Sequence, residues 1–326
     1  MSSSSSPPAK RPRTEEDTIV RSEIWYKDGS VVLQAANTQF RVHFSLLAAH
    51  STVFSDMYEL PQPELQATVD GCPLVEVHDD PEDVKNLLSV LYTPTLLSQT
   101  PLPFPIVAAL VRLGTKYDFR ELLAVGVKRI HLQFPSTLED YAARKLPTGN
   151  VAMHISHFPN CLFSVLRLAI EHDIQCSLPC IYYDIMLIPK EKWVNGIKTA
   201  GTISILRPPD LATCLLGSEK LARVQFQDGY ICSWMHKLPN LETCENFVVC
   251  AANRLKILRG HANHKHSCFL LAGFNPDKSQ NWLYRFCPPC QKEIEDVYHA
   301  GRERGWEDLP GFFGLPSWGE LKTGLP

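Results

Sequence analysis

The run DGSVVLQAANTQFRVHFSLLAAHSTVFSDMY, from Asp28 to Tyr58, decides how the chain is read. Asp28-Gly29-Ser30 is a turn signal, and Val31-Val32-Leu33 after it is an apolar, strand-like run. Asn37 punctuates the run. Thr38 to His43 then alternates polar and apolar residues in the period of a strand. Two short runs joined by a small polar loop predict a β-hairpin. Ser45 and Ser51 are each placed to cap a short helix, since a hydroxyl can accept from the orphan amides of a first turn. The expected order is hairpin, short helix, short helix.

The pattern extends downstream. Pro73 to His78 reads as a further strand and Pro81 to Tyr92 as the helix after it, with Val84, Leu87, Leu88 and Leu91 forming one apolar stripe. Between Glu59 and Cys72 the polar, Pro-containing chain reads as a loop. Thr93-Pro94 ends the helix, and Pro101, Pro103 and Pro105 form a stiff connector. Helices are expected over about 106–117 and 119–133, the second capped by Asp118.

The segment Asp28–Tyr58 resembles the BTB/POZ domain. In that family an Asp precedes the first strand, Phe-x-Val-His ends the second, and a Leu-Ala-Ala helix is followed by Ser-x-x-Phe and a Met. Phe40, Val42, His43, Leu47, Ala48, Ala49, Ser51, Phe54 and Met57 stand at those places. The family usually has Lys or Arg after the His, where this chain has Phe44. The resemblance implies an α+β BTB/POZ domain, a small sheet flanked by helices, over residues 19–134. A mostly α-helical C-terminal domain over 135–326 would follow, in the style of many fungal BTB proteins. It further implies a homodimer. Asp28 and His43 would lie near the dimer face, and Leu46, Leu47 and Phe54 would contribute apolar surface. The N-terminal segment around Ile19–Tyr26 can cross to the partner subunit in such dimers. Some relatives bind a cullin scaffold and present substrates for ubiquitin ligation, and others serve transcription.

At 326 residues with 44% hydrophobic content the chain can hold two ordinary domains. A net charge of −3 carries no basic excess that would point to direct nucleic-acid binding. No apolar run reaches the ~18 residues of a membrane span, and the Ser-rich start lacks the apolar region of a signal peptide. An intracellular protein, in nucleus or cytoplasm, is expected. Residues 1–18 combine five serines, prolines and separated charge blocks, a composition that cannot build a core. Within them Lys10, Arg11 and Arg13 resemble a monopartite nuclear import signal, an extended basic segment suited to the groove of an importin.

The C-terminal half reads as irregular helices. Ser136 would cap one ending near Ala143. Others are expected over 150–157, 162–172 and 179–186, as two short pieces over 210–216 and 221–226, and over 241–260 with Phe247, Ala251, Leu255 and Leu258 inward. The sharpest chemical motif is Cys287-Pro288-Pro289-Cys290. A thioredoxin-like redox site would need a βαβ unit with strands after the helix, and only 36 residues follow Cys290. A zinc site would need two more ligands, with Cys244, Cys250, Cys176, Cys180 and the cluster His261, His264, His266 and Cys268 as candidates. The preferred reading is reduced thiols at a helix start, with no metal and no cofactor. His154, His157 and Cys161 could share a helix face, although Pro159 interrupts it. No phosphate loop, nucleophile elbow or paired catalytic carboxylates occur, so no enzyme is expected.

Overall fold

The computed structural model describes residues 18–60, 67–144, 153–156, 160–199, 202–263, 270–271 and 282–323. The basic tail with Lys10, Arg11 and Arg13 therefore lies outside the described residues. So do His157, His264, His266 and Cys268. Two compact units emerge. One holds the chain up to Leu97 together with Leu113–Leu123, and the other holds Ser98–Arg112 and everything from Ala124.

The first unit is built on a five-stranded mixed sheet. Its strands are β1 (Val20–Trp25), β2 (Val31–Ala35), β3 (Thr38–Val42), β4 (Thr68–Val69) and β5 (Cys72–Val77), in the order β1-β3-β2-β5-β4. The expected hairpin is β2–β3, antiparallel from Val31↔Val42 to Ala35↔Thr38. Ala36 turns the corner with φ 47°. On its other edge β2 runs parallel to β5. Val31, Val32, Leu33 and Ala35 are all buried, so both faces of the strand are covered. This explains why β2 reads as a continuous apolar run rather than an alternating one.

Helices α1 (Phe44–His50), α2 (Thr52–Glu59) and α3 (Pro81–Tyr92) belong to this unit, together with Leu113–Leu123. Asp80 caps α3 by accepting from the Glu82 amide at 2.8 Å. Ser51 caps α2 as expected, accepting from Phe54 N at 3.1 Å and donating to the Tyr117 carbonyl at 2.5 Å. Ser45 is no cap, because α1 begins one residue earlier. The Phe44 amide is satisfied by Ser30 Oγ at 3.0 Å, so the turn before β2 takes that role. Phe44 is buried against Phe54 and Tyr58, which gives an apolar residue a place where related domains carry a cation.

β6 (Leu102–Pro103) of the second unit leads into α4 (Phe104–Tyr117), and α5 (Arg120–Gln133) follows; the end of α4, Asp118 and the first turn of α5 belong to the first unit. Asp118 does not cap α5 by its carboxylate; it sits at φ 53° and binds Thr52 and Arg120. Helix α6 (Leu138–Ala143) is capped by Thr137 rather than Ser136. The helix expected over 150–157 is replaced, where described, by strand β7 (Ile155–Ser156), parallel to β6. Gln133 Oε1 accepts the His154 and Ile155 amides and holds that segment extended. His154 and Cys161 therefore share no helix face.

Next come α7 (Leu162–Glu171), α8 (Leu178–Met186), α9 (Lys190–Asn195), the hairpin β8 (Ile197–Thr199) and β9 (Thr202–Ser204), and α10 (Pro208–Val224). Where two short pieces were expected, α10 is one helix of 17 residues. Its interior Gly217 lies against the Phe313 ring, 2.7 Å from where a Cβ would stand, so a residue that weakens helices is kept for packing. Then follow α11 (Phe247–Asn263), α12 (Pro288–Glu307), α13 (Leu309–Phe312) and α14 (Trp318–Thr323). Helix α11 starts six residues later than expected and buries Cys250 and Arg254, while Leu255 is half exposed.

Helix α8 is buried nearly all round and holds one charge, Asp184. Arg144 binds it through two bonds, 2.9 and 3.2 Å, and also donates to the Gln133 carbonyl at 2.7 Å. Both side chains are almost fully enclosed. Burial pushes the Asp184 carboxyl up, and the adjoining guanidinium opposes that push. Removing one partner of such a pair strands the other charge. Asp184→Asn should lower the stability of the full chain by about 3–5 kcal/mol in urea unfolding. Glu219→Gln, at the exposed Arg223–Glu219 pair, should stay within about 0.5 kcal/mol.

Candidate functional site

Two places concentrate chemistry. In the first unit, Asp28, His43 and Tyr92 form a chain at the junction of β3, α1 and α3. His43 Nε2 lies 3.2 Å from Asp28 Oδ2, and Nδ1 lies 2.8 Å from the Tyr92 hydroxyl. That hydroxyl also accepts the His43 amide at 2.9 Å. An Nε2–H tautomer satisfies every partner. The ring then donates to Asp28, and the Tyr92 O–H donates to Nδ1. Tyr26 stacks on Tyr92 with centroids 4.2 Å apart. The hydrogen bond from His43 holds the Asp28 carboxyl below its ordinary value, while burial pushes the Tyr92 phenol up. The array positions rather than reacts, since its three side chains satisfy one another. It fixes the start of α1 to the end of α3.

The other residues expected at a dimer face divide. Leu46 is half-buried on α1. Leu47 and Phe54 are committed to the chain's own core, at 1% and 2% exposure, with Phe54 against Tyr117 and Phe119. Among the described residues of this unit, the exposed large apolar side chains are Ile19, Val20, Tyr58 and Leu60. Val20 opens β1, which is an edge strand, and Ile19 directly precedes it. Sequence reading missed Tyr58 and Leu60. Their signal is weak, because the end of an amphipathic helix looks alike whether its last apolar residues face in or out.

In the second unit, Cys287 and Cys290 meet Cys244 and Cys250. The four Sγ atoms lie within 4.8 Å of one another. Cys287 Sγ is 3.7 Å from both Cys244 Sγ and Cys250 Sγ, and the Cys287 amide points at Cys250 Sγ at 3.4 Å. Cys250 and Cys290 are buried, and the other two are half-buried. Cys287 is the N-cap of α12, and Cys290 sits in its first turn. Trp282–Arg285, ahead of the motif, is a 3-10 turn and not a strand, so the thioredoxin-like reading lacks its first element. Cys176 and Cys180, the more distant candidates, are buried elsewhere, on the turn before α8 and on α8.

With this geometry in place, residues 27–130 match the family model of the BTB/POZ domain. No curated protein sequence matches the chain. The chain thus carries a BTB/POZ domain, a small mixed sheet flanked by helices, followed by a mostly helical region. BTB/POZ domains mediate self-association and binding to other proteins. No helix among the described residues is long and apolar enough to cross a membrane.

The Asp28–His43 contact gives a pH signature. A carboxyl depressed in the folded state contributes stability above its unfolded value, and that contribution is lost as pH falls through the folded value. By NMR, Asp28 should titrate below an ordinary aspartate in the native chain. His43→Ala should move it back up.

Proposed function

We propose that the chain is a non-enzymatic interaction protein that self-associates through its BTB/POZ domain and uses its helical half as an adaptor or scaffold. The observation that carries this reading is β1. It is six residues long, stands at the edge of the sheet, and begins at exposed Val20, directly after exposed Ile19. An edge strand of that length offers a row of unpaired backbone groups to another chain, whereas the opposite edge, β4, has only two residues. Asp28, His43 and half-buried Leu46 belong to the same surface in this reading. Leu47 and Phe54 support it from within.

The adaptor role extends to presenting substrates to a cullin-type ubiquitin ligase. The basic tail favours a second reading, a nuclear regulator associated with transcription, with Lys10, Arg11 and Arg13 engaging an importin. The helical half, with Leu309-Pro310, Leu315-Pro316 and Trp318 near its end, supports a place among fungal BTB proteins.

A two-fold interface meets itself, so one substitution acts twice. The full chain should run as a dimer in light scattering at micromolar concentration. Leu46→Asp should give a folded monomer, because a buried carboxylate on each side of the interface makes separation the less costly state. Leu47→Asp should unfold the first unit instead. A monomeric wild-type chain at tens of micromolar would overturn the reading.

The tail is tested separately. Changing Lys10, Arg11 and Arg13 together to Ala should move a fluorescent fusion of the full chain from nucleus to cytosol. An unchanged distribution would remove the import signal.

A further inference from the structure

We propose that Cys244, Cys250, Cys287 and Cys290 are the four thiolate ligands of a single structural zinc ion. The distances are those of the ion's coordination shell. Zn–S bonds of about 2.3 Å in a tetrahedron place sulfurs about 3.8 Å apart. Cys287 Sγ lies 3.7 Å from two of its neighbours, and no pair in the set exceeds 4.8 Å. A disulfide would need sulfurs about 2.05 Å apart. An iron–sulfur cluster would hold its cysteines further apart, since bridging sulfides and a second metal stand between them.

The four ligands come from three separate pieces of chain. Cys244 sits on a turn, Cys250 on the first turn of α11, and Cys287 and Cys290 at the start of α12. Nothing local brings them together, for Cys287 stands 43 residues from Cys244 and 37 from Cys250. The Cys287-x-x-Cys290 pair has the usual chelating spacing, and Cys244 and Cys250 complete the set without the histidines of 261–266. The surroundings suit a closed site. Trp234, Met235, Leu283, Phe286 and Ile294 form one apolar cluster with Cys250 and Cys290. The amide of Cys287, directed at Cys250 Sγ, is the kind of N–H···S contact that supports a thiolate ligand. Four protein ligands leave no position open for water or substrate, so the site holds structure and performs no catalysis. Zinc here would join the beginnings of α11 and α12. The binding free energy would then become folding free energy for this region.

The test uses the full chain, purified without chelators and with reductant. Elemental analysis should find close to one zinc per chain. Zinc should fall to near zero in Cys287→Ser/Cys290→Ser and in Cys244→Ser/Cys250→Ser, while Cys161→Ser, outside the cluster, keeps it. Either double variant could fail to fold, so the wild-type chain is also reconstituted with Co(II). One equivalent should give the sulfur-to-cobalt charge-transfer and intense visible bands of a tetrahedral four-thiolate site, and one equivalent of Zn(II) should abolish them. A folded wild-type chain without zinc whose four thiols react freely or pair as disulfides would overturn the proposal. So would zinc retained in both double variants, or a cobalt spectrum of oxygen and nitrogen ligands.

Discussion

Strand β2 has a partner on each edge and is covered on both faces, and the first unit is arranged to keep it so. Its antiparallel pairing with β3 is local and fixed by the turn at Ala36. Its parallel pairing with β5 is not local, and it requires the chain to leave the sheet, form α1 and α2, and return. A slip of one residue in β2 would exchange its two faces, and with both faces apolar its own side chains resist this weakly. Register must come from elsewhere. The buried Gln39 donates to Gln34 Oε1 at 2.7 Å across the hairpin, and Cys72 on β5 lies against the Gly29 carbonyl at 3.1 Å. Polar contacts set the alignment that apolar burial then stabilises.

The second unit solves a different problem. Its helices range from four to 20 residues, and two arginines, Arg144 and Arg254, are enclosed among them. Arg144 secures α6 to α8 through Asp184. Arg254 on α11 reaches the carbonyls of Trp234 and Lys237 and the carboxylate of Glu293 on α12. A guanidinium has five donors in a fixed fork, so it satisfies carbonyls that no regular element would serve. In a fold with many turns this is a way to enclose backbone that would otherwise need water.

The first unit could be read closely from sequence because its signals are local: a turn, two alternations, a hydroxyl cap at Ser51 and an apolar stripe on α3. The cap misread at Ser45 depends on a contact that is not local. Ser30 reaches Phe44 across 14 residues, and so displaced Ser45 as the cap. In the second unit the decisive contacts are distant. The extended stretch at 154–156 depends on Gln133, and α10 runs unbroken through Gly217, where the Phe313 ring packs. The face of α11 is set by a buried arginine that polarity alone would turn outward. The Cys287–Cys290 pair was visible in the sequence. That Cys244 and Cys250 meet it is a fact of three-dimensional convergence.

Helix α12 is fastened at its two ends by unlike means. At its start are Cys287 and Cys290. Toward its other end, Gly301 and Gly305 let it approach so closely that a Cβ would meet the Ile231 backbone at 2.4 Å and the Leu270 side chain at 2.7 Å. Sulfur answers to oxidants and alkylating agents, whereas shape answers to neither. An insult to the thiols therefore loosens one end while the other stays docked. A helix loosened there would fray from its beginning, where the rings of Trp234 and Trp282, stacked 5.2 Å apart, pack in the same cluster as Cys290. Chemical stress at this helix would thus be registered as a patch of newly wetted indole, well before the unit as a whole comes apart.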